Sequence, residues 1–401
     1  MGRYTAHDDP VVDTTIESHL KRIVEVVLSR MQPTAIILRG SFGRGEGSVA
    51  HQDGKLSFLS DYEIDVVTLS PRYRSLFAEI SRDLTKELCV DTGLRWVKPD
   101  YMYKRRIGPF PVGPAPVTIS LYEARYGSHT LYGQDLFLTA PVIDVGQIPI
   151  ASGIHLMLNR MAESVGYLSR SGEETQAEWQ SIYWINKLIL ACVESLLLVW
   201  KQYHFLYKER GRRFSILAKE RLDFMGEEGQ VLVNLAEQAT EFKLRPNRRL
   251  YPESLQSISS QVVSICDKVF RYVISQELDA TIDGNYHGYT DRYLKYEEKK
   301  YRSFSYQRVI SKFLDIYKYL RRGWVPRNLL SPNTTSQMIY SIVPPVFAGM
   351  NKPGAALPSL LSEVRRKLTK VFSLRPPAAN NNEEWRYLSN LMYLLWKNFC
   401  Y

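Results

Sequence analysis

The stretch from Leu38 to Val67, LRGSFGRGEGSVAHQDGKLSFLSDYEIDVV, constrains the fold more than any other. It is entered through an apolar run, Ile36-Ile37-Leu38, that stops at Gly40-Ser41, and three more glycines follow at Gly43, Gly45 and Gly47. Its far end alternates: Asp61, Glu63 and Asp65 are interleaved with Tyr62, Ile64 and Val66. A period of two sends the acids to one face of a strand and the apolar residues to the other. Acids at i and i+2 lie about 7 Å apart along the backbone, close enough for their side chains to converge on shared metal ions. Three carboxylates on one face repel one another unless a cation or a basic group neutralises them. The pattern therefore predicts two strands joined through a glycine-rich turn, with a cation expected at the acidic face.

The turn has chemistry of its own. A strand that bends sharply into a helix presents free backbone N–H groups, and these, with the Ser41 hydroxyl, suit phosphate oxygens. Glycine at position 40 lets a ligand come close to the backbone. Arg39, Arg44 and Lys55 add positive charge. Asp61 and Glu63 supply hard oxygen ligands for Mg²⁺ or Mn²⁺. A phosphate cradle beside metal-binding acids describes a nucleoside triphosphate site. Glu63 and Asp65 form a second acid-x-acid pair. Asp61/Glu63 is preferred because Ser60-Asp61 begins the strand, where side chains meet the turn, and Asp65 is left as a salt-bridged structural acid or a more distant group.

With 401 residues, 45% apolar and 23% charged, the chain has the composition of a two- or three-domain globular protein. A net charge of +10 favours anionic partners. Cys89, Cys192, Cys266 and Cys400 are widely spaced, which argues against a zinc site or disulfides and for buried thiols in a reducing, cytoplasmic compartment. MGRYTAHDDP lacks the apolar core of a signal peptide. The apolar run Leu188 to Trp200 is interrupted by Glu194 and reads as too short to span a bilayer, so no membrane partner is expected.

Apolar spacing predicts a helix over 13–31, capped by Asp13, Thr14 or Thr15, and another from Ser70-Pro71 to Gly93. Extended stretches are predicted at 94–103 and 116–123, on either side of the loop GPFPVGPAP. From Ala151 onward the periodicity is helical, with helices expected at 153–169, 176–208, 229–243, 253–279, 289–321, 333–348, 356–372 and 382–398. The fold class is thus α+β: a small mixed-sheet domain over 1–150, then a large all-helical domain over 151–401, with a further division near 285 left open.

GS at 40–41 followed by SDYE at 60–63 resembles the DNA polymerase beta superfamily of nucleotidyltransferases. The wording GSFGRGE, the LYG at 131–133, the NRM at 159–161 and the helical WINKLILACVESLLLVWKQYHFLYKER at 184–210 are most similar to its kanamycin-type and minimal nucleotidyltransferase branch, over about residues 16–215. The resemblance implies that Asp61 and Glu63 hold Mg²⁺ and that Gly40 and Ser41, with Arg44, hold the triphosphate. It also implies a third carboxylate on a neighbouring strand, for which Glu123 and Asp100 compete. Lys187 and Glu194, seven apart on one helix face, are the helical domain's candidates for a phosphate contact and a general base. The expected reaction moves a nucleoside monophosphate from an NTP, chiefly ATP, to an acceptor hydroxyl, with a small molecule favoured as acceptor. Ten basic residues against four acidic ones between Asp291 and Arg322, interleaved with aromatics, keep RNA open as a partner. A chain that keeps the fold as a non-catalytic nucleotide-binding protein is the competing expectation.

Overall fold

The computed structural model describes residues 2–52, 55–70, 73–107, 110–168, 174–247, 250, 255–302, 312–313, 316–317, 333–351, 361–362, 364–366, 368 and 381–400. The chain divides into two compact units. The first comprises Met1–Pro149, Trp200–Lys219 and Ala236–Leu250; the second comprises Ile150–Val199, Glu220–Leu235 and Tyr251–Tyr401. The break at Pro149 falls where the periodicity changes. The sequence did not signal that two later helical segments belong to the first unit.

The first unit is built on a four-stranded mixed sheet in the order β5-β4-β1-β8. Its strands are β1 Ala35–Arg39, β4 Tyr62–Val67, β5 Thr92–Val97 and β8 His129–Gly133. Every residue of β1 is buried, which fits an inner strand with no polar face. β1 runs antiparallel to β4 and β8, and β4 runs parallel to β5. One sheet face, carrying Ile36, Leu38, Tyr62, Ile64 and Val66, packs under the helices α1 (Pro10–Arg30) and α3 (Arg74–Leu88). The two helices provide the other half of that core, with Ile16, Leu20, Ile23 and Val27 from α1 and Phe77, Ile80 and Leu84 from α3. The opposite face holds Ala35, Ile37, Val67 and Val97 against Met102, Ala124, Leu136 and Phe137. Hairpins β2 Val49–Gln52 with β3 Lys55–Phe58, and β6 Lys104–Ile107 with β7 Phe110–Pro114, lie outside the main sheet.

Local chemistry moves several expected boundaries. Asp9 caps α1, its carboxylate accepting from the Val11 and Val12 amides at 2.9 and 3.4 Å. Asp13 instead accepts from the Arg3 and Tyr4 amides at 2.7 and 3.2 Å. The stretch 116–123 is not a strand. Thr118 caps a helix, α4 (Ile119–Tyr126), by accepting from the Leu121 amide at 3.1 Å. Tyr122 and Tyr126, one turn apart, pack ring to ring at 4.9 Å. The strand predicted over 94–103 ends at Val97.

The helix predicted over 176–208 ends as α6 at Val199, and Lys201 takes a left-handed φ of 58°. A separate helix, α7 (Tyr207–Arg221), follows. α5 (Ile150–Leu168), α6 (Glu174–Val199), α9 (Leu255–Leu278), α10 (Tyr289–Arg302) and the helix Asn381–Phe399 make up most of the described second unit. α8 (Glu228–Leu244) gives its second half to the first unit. The predicted 333–348 is two short helices, Thr335–Tyr340 and Val343–Ala348. The predicted 356–372, and most of the basic, aromatic stretch beyond Arg302, lie largely outside the described residues. By length and composition the segment Ser181–Val199 could cross a membrane, longer than the run read from sequence, but 78% of it is buried inside the protein, as in a core helix.

Candidate active site

The strand β1 passes at Gly40 into α2 (Gly40–Gly43), a single helical turn without a side-chain cap. Gly40 sits at φ +66°, and a Cβ there would lie 2.4 Å from Glu63 Oε1. The left-handed backbone favours glycine, and a larger residue would also have to displace the Glu63 carboxylate. This apposition follows from register, since Arg39 pairs with Glu63 and Ile37 with Asp65 across β1 and β4. The predicted turn and the predicted acids thus meet. Ser41 is half-buried, and among the described residues its hydroxyl makes no hydrogen bond.

The four acids of this region differ sharply in what holds them. Asp61 precedes β4, is exposed, and has neither a hydrogen bond nor an ion pair among the described residues. Glu63 is likewise unpaired. Although its side chain is accessible, the surrounding protein desolvates it, and this with the nearby Asp61 charge raises its carboxyl above the usual range, against the pull of Arg39 and Arg44. Asp65 is 2% exposed and held by two guanidiniums. Arg95 grips it with Nε and Nη2 at 2.8 Å each, and Arg39 Nη1 approaches at 3.4 Å. Burial, with the nearby Glu63 charge, pushes the Asp65 carboxyl up to about 7 against the pull of Arg39, while the two-pronged Arg95 contact at 2.8 Å favours the anion. Asp65 is the salt-bridged member of the trio.

Glu123 stands on α4, not at a strand end, and a clamp engages its carboxylate. Arg44 Nη1 lies at 3.0 Å, the Tyr203 hydroxyl donates at 2.7 Å, and Arg210 Nη2 binds the same oxygen as Tyr203. Burial opposes this anion, but Arg44, Arg210 and the Tyr203 hydroxyl overcome it and hold the carboxyl at about 2. The expectation of Glu123 as the third carboxylate at a strand end is corrected in its placement: it stands on a helix, and its oxygens face two guanidiniums. Arg44, expected at the phosphates, is 5% exposed in its side chain and is the other half of that ion pair. The rival Asp100 lies in the turn after β5, 3.9 Å from Lys104 Nζ.

Two structural residues gave no local signal. Glu46 is 1% exposed and caps α7, accepting from the Tyr207 and Lys208 amides at 2.7 and 3.0 Å. Arg210, also 1% exposed, lies 4.4 Å from the ring centroids of both Tyr203 and Tyr207. Glu46 and its two amides are 161 and 162 residues apart in sequence, beyond any motif. The start of β4 is fixed by Ser60, whose Oγ accepts from the Ser48 amide at 2.9 Å and from Lys243 Nζ at 3.1 Å.

Lys187 and Glu194 belong to the second unit. Lys187 Nζ sits 4.4 Å from the ring centroids of Tyr183 and Trp184, and Glu194 is 6% exposed in α6. Among the described residues no group of three or more His, Cys, Asp or Glu gathers as a metal cage. Among the described residues Asp61 and Glu63 remain as neighbouring unpaired oxygen donors, Glu63 against Gly40, a set suited to a hard divalent cation whose other ligands come from water and substrate. The chain matches no protein-family model, no curated protein and no solved structure.

Proposed function

We propose that the chain is an Mg²⁺-dependent nucleotidyltransferase, Mn²⁺ serving in its place, that moves a nucleoside monophosphate, AMP from ATP in the first instance, to a hydroxyl of a small-molecule acceptor and releases pyrophosphate. One contrast carries this reading. Asp65 and Glu123 are engaged by guanidiniums, whereas among the described residues Asp61 and Glu63 make no ion pair or hydrogen bond, and Glu63 is pressed against Gly40. Two neighbouring carboxylates with no ion-pair partner in contact repel one another, a cost that a bound cation offsets. The order GS then SDYE, similar to the polymerase beta superfamily, supports the same assignment.

Asp61 and Glu63 would hold the metal, which when bound supplies Lewis-acid activation of the attacking hydroxyl and neutralises charge on the departing pyrophosphate. Gly40 and Ser41 orient the phosphate oxygens through backbone amides and the Ser41 hydroxyl. Arg39 and Arg44 keep positive potential at the turn while engaged to Asp65 and Glu123. Glu123 acts through Arg44 by fixing its position. Lys187 and Glu194 are given no step.

A non-catalytic nucleotide-binding protein is the second reading, favoured by the clamp on Glu123, which removes the expected third acid. Transfer to RNA or to a protein side chain is a variant of the first, supported by the +10 charge. Titration calorimetry of ATP with Mg²⁺, comparing wild type with Asp61→Asn/Glu63→Gln, tests the core of the proposal. Metal-dependent binding lost in the double variant is expected, and binding indifferent to these acids would sink it. Pyrophosphate release with small polyhydroxylated acceptors, with RNA and with protein then separates the variants, and binding without release under any of them leaves the non-catalytic reading.

A further inference from the structure

The second unit contains a pair of thiols that sequence spacing separates and packing joins. Cys192 on α6 and Cys266 on α9 are 74 residues apart, yet their sulfurs lie 3.2 Å from each other. Both side chains are fully buried, as are Ile189 and Val193 on the same helix as Cys192 and Val269 and Phe270 on that of Cys266. The other two cysteines differ: Cys89 is exposed with its Sγ 3.7 Å from the Lys86 carbonyl, and Cys400 is partly exposed. A sulfur–sulfur bond is about 2.05 Å long, so closing the pair needs roughly 1.1 Å of approach, within the reach of small χ1 adjustments on two packed helices.

We propose that Cys192 and Cys266 are a dithiol–disulfide couple that staples α6 to α9. The oxidant is a peroxide. One thiolate attacks a peroxide oxygen, the O–O bond breaks, and a sulfenic acid and one water result. The second thiol then attacks that sulfur, the S–O bond breaks, a second water leaves and the S–S bond forms. In total two thiols and one H₂O₂ give one disulfide and two waters. Burial sets the kinetics. Desolvation first, then the contact with Cys192, holds the Cys266 thiol well above its ordinary range, so the closed core resists oxidation. The reaction runs when the α6–α9 layer opens, and the bond it leaves is shielded from reductant once the layer closes. The staple encloses a loop of 74 residues, long enough to restrict the unfolded chain substantially.

The full-length protein, treated with hydrogen peroxide, unfolded and alkylated with iodoacetamide, tests this by peptide mass spectrometry. The expected result is a Cys192–Cys266 cross-linked peptide, with both residues lost from the alkylated pool. Formation should accelerate in urea concentrations below the unfolding transition, and the unfolding midpoint should rise by several degrees. Cys192→Ser and Cys266→Ser should each abolish that rise, with Cys192→Ala used if the serine variant fails to fold. Full alkylation of both residues after oxidation, or cross-links that involve Cys89 or Cys400 instead, would overturn the proposal, and the wild-type peptide map decides this without any variant.

Discussion

Replacing Glu123 with glutamine separates a structural carboxylate from a metal-binding one. The side chain is 20% exposed and lies between Arg44 and Arg210, whose own side chains are 5% and 1% exposed. Folding lowers its carboxyl from 4.5 to about 2. At about 1.36 kcal/mol for each tenfold change, that corresponds to roughly 3 kcal/mol of stability at neutral pH. The figure agrees with the about 3–5 kcal/mol lost when one partner of a buried ion pair is removed. For a unit of this size it amounts to a drop of about 6–12 °C in Tm. The sign with pH follows from the direction of the shift. A depressed carboxyl stabilises above its unfolded value near 4.5, and the contribution is lost as pH falls toward 2. Urea unfolding of wild type and Glu123→Gln at pH 7 and pH 3, followed by circular dichroism, should therefore show a wide gap at pH 7 that narrows at pH 3. Equal stability at pH 7, or loss of Mg²⁺-ATP binding by a variant of unchanged stability, would refute the clamp and return Glu123 to the metal.

Glu63→Gln should unfold at the same temperature as wild type or higher at pH 7 without metal, because the raised Glu63 carboxyl stabilises only below its unfolded value and that contribution is gone once pH passes its folded value. Added Mg²⁺ should then raise the thermal midpoint of wild type and not of the variant, and a rise in both would remove Glu63 from the metal site. Gly40→Ala forces a left-handed alanine against Glu63, so calorimetry should show weakened Mg²⁺-ATP binding along with a stability loss of about 1–3 kcal/mol; unchanged binding would mean that the turn is not in contact with the nucleotide. Glu46→Ala removes the cap of α7 and should cost about 1–2 kcal/mol, with faster hydrogen exchange at the Tyr207 and Lys208 amides, whereas unaltered protection there would contradict the cap.

How far the sequence reached can be judged residue by residue. The alternation in DYEIDVV put Glu63 and Asp65 on one face, and the β1–β4 register keeps them there. The stripes on α1 and α3 were legible because apolar residues recur every three or four positions, Ile16, Leu20, Ile23 and Val27 in one and Phe77, Ile80 and Leu84 in the other. VTISLYEA was misread since its first residues alternate like a strand, and a single threonine cap overrides a short alternation. WKQYHF contains no glycine or proline, so nothing local announced that α6 stops at Val199.

The sequence by itself determined the α+β class, the change to helix near residue 150 and the meeting of a glycine turn with an acidic strand. Period, caps and turn residues act over a few positions, and a reader of the chain sees those same few positions. Tertiary structure decided which acids stay unpaired. Arg95 comes from 30 residues away to hold Asp65, while Arg44 and Arg210, which lie 79 positions before and 87 after Glu123, converge to hold it. Charge pairing depends on distance in space, and folding brings these residues together without regard to their separation in the chain. It was the engagement of Glu123 and Asp65 by arginines, invisible in any motif, that left Asp61 and Glu63 as the two acids without partners among the described residues, Glu63 lying against Gly40.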